Sequence, residues 1–373
     1  MKVFKKIREN INRVINTAQP EICYDVATWA QHLGWPVQQL AEPIYHEVRS
    51  FFSNEEMAMA MVDTHKEVLS RPQSLVVIDK PYIRETLGLV ELRDGRVLLE
   101  GNWWLPSLLE HPTYRKRIGL QSHILKGDIY SLLSMWSTNY YHWFHDVLPR
   151  LEAAFPYLPR ETRYLINEKP AAWQLDALAA YGIDLNHLEI QPPTARTQIE
   201  RLWFSTPAGQ TGLGSVKLLK KVSERLRGYW HTPTKIHQCG VYISRAKSRC
   251  RKILNETELN HILDAYSFEN VTCEDLSLAE QLHAFWNASN VLAPHGAGLT
   301  NTMFTRSGTV VGEVHYEETV FTNHYWFLAQ QFHLSHSHLK ARKVDLPNGE
   351  YDLEADLAVI ENWLAGNPPI ADS

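Results

Sequence analysis

Three short stretches of the sequence carry residue types and spacings that could do chemistry together. In "STNYYHWFHDVLPRLE" (137–152), a helix would carry Asn139, His142 and Asp146 on one face, at i, i+3 and i+7. His142 and Asp146 then lie one turn apart, and a carboxylate beside an imidazole suits removal of a proton from a hydroxyl. In "VYISRAKSRCRKILNETEL" (241–259), a strand ends at Arg245, and Lys247, Arg249, Arg251 and Lys252 follow before Asn255 and Glu256. Guanidinium groups match the oxygens of a diphosphate in bidentate contacts. In "NVLAPHGAGLTN" (290–301), an apolar run breaks at His295, Gly296, Ala297, Gly298 and Leu299, with Thr300 and Asn301 behind them. A helix opening there would aim unpaired N–H groups and a positive dipole end at a phosphate. Gly296 and Gly298 would remove the Cβ atoms that keep a ligand away. Glu313, at the end of the next apolar run, is placed to hold a ribose hydroxyl.

These stretches need elements to hold them. "NVLAP", "TVVGEVHY" and "VYISR" read as strands, and "SLAEQLHAFWNAS" as a helix opened by a Ser277/Glu280 capping box. A strand-helix-strand run of this kind implies a parallel sheet with right-handed crossovers, whose ligands bind beyond the strands' carboxyl ends. Upstream, "RYLIN", "HLEIQ" and "ERLWFS" are strand candidates, with helices at "AAWQLDALAAYG" and "GSVKLLKKVSERLRGYW". Residues 74–104 alternate apolar and polar around Asp94-Gly95, the pattern of a β-hairpin region. "YDLEADLAVIENWL" reads as a closing helix with Leu353, Leu357, Ile360 and Leu364 inward. The resulting division is a helical N-terminal extension (1–74), a first α/β domain with the hairpin (75–232), a second α/β domain (233–345) and a C-terminal helix (346–373).

Composition bounds the class. At 44% hydrophobic and 21% charged residues the chain is an ordinary globular protein, and a net charge of -5 gives no general attraction to nucleic acid. The four cysteines lack CxxC spacing, so thiols are expected rather than disulfides or a zinc cluster. No apolar run is long enough to cross a bilayer and no signal peptide is recognised, so a cytoplasmic protein is expected. Residues 1–17 form a basic amphipathic pattern that suits either a membrane surface or the chain's own domain. The glycine loop is neither GxGxxG nor a Walker loop, which disfavours dinucleotides and ATP. His324, His333, His336 and His338 show no ligand spacing and read as structural.

Taken together the three stretches resemble glycosyltransferase family 61. Asn139, His142, Trp143, Asp146, Pro149 and Arg150 are similar to its Asn-x-x-His-Trp-x-x-Asp-x-x-Pro-Arg segment. Ser244-Arg245, then Arg251-Lys252-Ile253-Leu254-Asn255-Glu256, is similar to its basic segment, with Lys for the second Arg. His295 to Asn301 matches its His-Gly-Ala-Gly-Leu-Thr-Asn loop, and Glu313 its following acid. The resemblance implies a GT-B-like fold, two Rossmann-like domains facing across a cleft that closes over the donor. It implies an inverting, metal-independent transfer from a nucleotide-sugar to a hydroxyl of a glycan or lipid-linked glycan. The sequence looks more like bacterial members associated with capsule or other surface polysaccharides, working on the cytoplasmic side of the membrane.

In that reading Arg245, Arg251 and the loop 295–301 hold the donor diphosphate, and either His142 or Asp146 is the base. Asn139, Trp143, Asn255 and Glu256 touch the acceptor or shape the site. Without an Asp-x-Asp, no donor-bound metal or other cofactor is expected, and fixed cations take its place. Two other readings use the same residues: a non-catalytic nucleotide-sugar or glycan-binding subunit, and a metal-dependent hydrolase built on His142, His145 and Asp146.

Overall fold

The computed structural model describes residues 22–23, 25–51, 62–63, 65–98, 121–231, 239–316 and 324–369. The amphipathic stretch 1–17 and the expected domain junction near 232–238 lie outside them. Among the described residues no helix is long and apolar enough to cross a membrane.

Two sheets organise the chain. The first has ten strands and is mixed. Its centre is Ala195–Ser205, parallel to Gln121–Ser131 and antiparallel to Gln73–Asp79 and Tyr82–Arg84. The expected hairpin joins Leu89–Glu91 to Val97–Leu98, with Gly95 at φ 88° in the turn. The short strands Ile22–Cys23 and Val37–Ala41 add to this sheet. The described part of 1–74 thus adds two short strands to the first sheet beside its helices Val26–His32, Tyr45–Phe51 and Lys66–Leu69.

The second sheet has six strands, five of them parallel. In order of appearance they are Cys239–Ile243, Phe268–Val271, Ala288–Pro294, Val310–Tyr316, Ser335–Asp345 and Tyr351–Ala355, lying in the order second, first, third, fourth, fifth, sixth. Ala288–Pro294 is buried along its whole length, as a central parallel strand must be. The direction of travel reverses between the first and third strands. That switch point opens a crevice at their carboxyl ends.

The closing segment differs from its sequence reading. Tyr351–Ala355 is an antiparallel edge strand, and only Leu357–Gly366 is helical. Asp356 accepts hydrogen bonds from the N–H groups of Ala358 and Val359, so the helix starts after it. The five residues before are held by pairing with Ala341–Asp345.

The sheets share one apolar layer. Phe144, Leu148 and Leu151 pack with Val222 and Leu226, and with Phe285, Leu299 and Phe304 from the second sheet's helices. The rings of Phe144 and Phe304 lie 5.8 Å apart. Ser223 Oγ donates to the Met303 carbonyl at 2.8 Å.

Candidate active site

The His142–Asp146 pair spans one helical turn and sits at a local irregularity. Asn139 caps the start of the helix by accepting from the N–H groups of Tyr141 and His142. The next turn, Trp143–Val147, is π-helical, closed by Leu148 N–H donating to the Trp143 carbonyl. Pro149 has no N–H to return to the carbonyl of His145 and its ring crowds that group, so a regular α-turn is disfavoured. Such wide turns occur mostly at functional sites.

Three groups converge on Asp146. His142 Nδ1 lies 2.7 Å from Oδ2, His145 Nδ1 lies 3.2 Å from Oδ1, and Thr211 Oγ1 donates to Oδ2 at 2.9 Å. Burial alone would raise this carboxyl, but the hydrogen bonds from His142 and His145 and their charges outweigh it and hold the group below its usual range. An ionised carboxylate only accepts, so both histidines carry their proton on Nδ1. In its neutral form His142 then has a lone pair on Nε2, on a side chain that is partly exposed and packed against the Trp136 ring. Trp143 is fully buried, and the Asn139 side-chain oxygen is used in capping. Trp143 therefore shapes the site from within, while Asn139 keeps an exposed side chain.

The second group lies at the switch point. Arg245 follows the first strand of the second sheet and reaches over Gly296, at the end of the third. A Cβ on Gly296 would collide with the guanidinium. This glycine makes room for an arginine, a different reason from the close phosphate approach expected. Arg245 donates to the Cys250 carbonyl at 3.1 Å, and Arg251 is close enough to repel it. Burial first, then Arg251, pulls the Arg245 guanidinium below its ordinary range. Arg251 sits at φ 59°, uncommon outside glycine, and is held there by its N–H bond to the Tyr351 carbonyl at 2.7 Å. Neither arginine forms an ion pair with a described carboxylate. Lys247 and Arg249 instead pair with Asp275 and Glu350 at the surface. Of the five cations in the run, Arg245 and Arg251 thus stand near each other, while Lys247 and Arg249 are paired at the surface.

Asn255 and Glu256 support this strand end. Asn255 bonds both the N–H and the carbonyl of Ala355, and Glu256 accepts from Tyr242 and Ser244. They shape the site and do not line it.

The glycine loop departs from expectation in three places. Ala297–Phe304 is a 3₁₀ rather than an α-helix. Leu299, Thr300 and Asn301 are fully buried, so their side chains face the core and not a phosphate. The Asn301 amide instead accepts from Tyr140 Oη at 2.6 Å and donates to Gln281 at 2.9 Å, tying the loop to the helix before His142. His295, Ala297 and Gly298 remain partly open, beside Arg245. Glu313 is 1% exposed, with one oxygen on His295 Nδ1 at 2.5 Å and the other on His336 Nε2 at 2.9 Å. At 1% exposure its carboxylate is closed off from a ribose and orders His295 instead. Tyr140→Phe is expected to leave the buried Asn301 oxygen without a donor and to cost roughly 1–3 kcal/mol in a denaturation experiment.

Sequence reading missed two supports. A small hairpin, Gly209–Gln210 with Leu213–Gly214, brings Thr211 to Asp146 and Gly214 against the His145 ring. Three glycines within "GQTGLG" were its signal. The ring of His324 stacks on Tyr141, which stacks on His145, and Gly212 at φ 83° leaves space for it. Burial lowers His324 to about 4. A depressed histidine is neutral in the folded state, so its contribution is complete above about 6.5 and is lost as pH falls toward 4. That contribution is on the order of 3 kcal/mol, at about 1.4 kcal/mol per unit. His324→Gln is expected to flatten the stability curve between pH 6.5 and 4, read by denaturant midpoints.

The hydrolase alternative finds less support in the geometry. His142 and His145 both commit Nδ1 to Asp146, on different oxygens. Among the described residues, three metal-ligand atoms converge elsewhere, at Glu313, His336 and His338.

Residues 140–312 match the family model described as Glycosyltransferase 61. That range takes in His142 and Asp146, both crevice arginines and the glycine loop. Over 162 residues the chain is 27% identical to the EGF domain-specific O-linked N-acetylglucosamine transferase of Drosophila melanogaster. The match covers 42% of this chain and 30% of that relative, less than a third of its length. The two findings support a glycosyltransferase. Both point to a relationship with glycosyltransferase family 61.

Proposed function

We propose that the chain moves a sugar from a nucleotide-sugar donor to a hydroxyl of a glycan or lipid-linked glycan, with inversion and without a donor-bound metal. The observation that carries this reading is the pair Arg245 and Arg251. Arg245 lies at the switch point of the sheet beside the opening of a helical turn, with Arg251 close enough to repel it, and neither forms an ion pair with a described carboxylate. Such a place suits a diphosphate, and fixed charges there stabilise it as a leaving group. His142, oriented by Asp146, takes the acceptor proton as the hydroxyl oxygen attacks the anomeric carbon and the carbon–oxygen bond to the diphosphate breaks. In this reading the two sheets are the halves of a GT-B-like enzyme. A role in surface polysaccharide synthesis on the cytoplasmic side rests on the sequence resemblance alone.

A thermal-shift screen against nucleoside diphosphates and their sugars tests the donor. The relative's name makes an N-acetylglucosamine donor the first to try. One nucleotide at a hundred times its Kd should stabilise the fold by about 2.7 kcal/mol. No shift with any nucleotide at millimolar concentration would remove the donor assignment. Transfer should persist in EDTA, whereas a loss restored by Mg²⁺ or Mn²⁺ but not by Zn²⁺ would contradict the absence of a donor-bound metal.

A further inference from the structure

Two histidines set apart in sequence from the reacting groups meet Glu313 on one face of the second sheet. Val310–Tyr316 and Ser335–Asp345 run parallel, with Glu313 opposite His338 and Val311 opposite His336. Residues two apart on a strand share a face, so all three side chains project to the same side. His336 Nε2 lies 2.9 Å from Glu313 Oε2, and His338 Nδ1 lies 3.8 Å from the same oxygen. One ligand atom from each residue falls within 4.8 Å of the others. A tetrahedral ion with bonds of about 2.0–2.1 Å holds its ligand atoms roughly 3.3 Å apart. The two distances bracket that spacing, and His338, with 52% of its side chain exposed, has room to adjust.

We propose that Glu313, His336 and His338 form a three-ligand site for a borderline-soft divalent ion, with Zn²⁺ the best match. Two imidazoles and one carboxylate are a zinc donor set, whereas magnesium and calcium favour oxygen ligands. The surroundings suit the assignment. His295 Nδ1 donates to the carboxylate's other oxygen, the kind of outer contact that orients a ligating acid. His315 and Tyr325 flank His295 with ring centroids 5.0 and 5.3 Å away. The ion would be separate from the donor diphosphate. Because Glu313 serves both, occupancy would fix the position of His295 at the mouth of the glycine loop.

The test uses tag-free full-length protein, titrated calorimetrically with ZnCl₂ and analysed for metal after dialysis, with no nucleotide present. Its outcome is therefore independent of the donor assignment. One Zn²⁺ per chain is expected. His338→Ala and His338→Gln, at an exposed position, should weaken binding at least tenfold while circular dichroism stays unchanged. His261→Ala, on an exposed helix position elsewhere, should bind as the parent does. Zinc binding that is absent in the parent, or equal in the parent and both His338 variants, would overturn the proposal.

Discussion

Arg245→Ala is expected to lower kcat/KM for transfer by a hundred- to a thousandfold, roughly 2.7–4 kcal/mol of transition-state stabilisation. The size follows from where the charge sits. Arg245 is partly buried between Gly296 and the Cys250 carbonyl, and burial and Arg251 both make its charge costly in the free protein. A diphosphate would relieve that repulsion, most of all when the donor bond breaks and negative charge accumulates on the leaving group. Arg245→Lys should recover little, because a point charge does not reproduce the planar fork. Gly296→Ala offers an independent route to the same loss, since the added carbon meets the guanidinium and displaces it. Donor kinetics on the three variants decide the matter. If Arg245→Ala stays within about tenfold of the parent, a change of roughly 1.4 kcal/mol, the diphosphate assignment fails.

The second large effect concerns the base. His142→Ala is expected to reduce kcat by about a hundred- to ten-thousandfold, the usual range for a positioned proton acceptor. Asp146→Asn should fall nearly as far for a different reason. An asparagine offers an N–H where the carboxylate only accepts, which favours the tautomer with the proton on Nε2 and removes the lone pair facing solvent. The competing view makes Asp146 itself the base. Against it stand three donors on two oxygens and a carboxyl held below its usual range. His142→Gln separates the two: activity within tenfold of the parent would assign the proton to Asp146 and refute the dyad.

Much of this site was legible in the sequence because it depends on short-range spacing. The His142–Asp146 contact follows from one helical turn, the Ser277/Glu280 capping box is present as expected, and the parallel second sheet follows from alternating strand and helix patterns. What was not legible depends on partners distant in the chain. Asn301 read as a phosphate ligand until Tyr140 and Gln281 were found on either side of it. Glu313 read as a ribose ligand, yet His336 from the neighbouring strand occupies one of its oxygens. Gly296 was rightly marked as a position needing no side chain, but only the fold reveals that an arginine fills the space. The edge strand 351–355 was hidden because its apolar residues fit the periodicity of the helix that follows.

The shared layer between the sheets has a bearing on engineering. Glycosyltransferases invite recombination, with one parent supplying the half that holds the donor and another the half that meets the acceptor. Here Phe144 packs on Phe304, Tyr140 bonds Asn301, and Ser223 bonds the Met303 carbonyl, so the helical stretches 140–154 and 216–229 are fitted to the second sheet's side. A chimera cut between residues 231 and 239 would inherit mismatched surfaces across this layer. One that carries residues 139–154 and 216–229 along with the second sheet keeps the layer intact and moves the seam outward, into the first sheet.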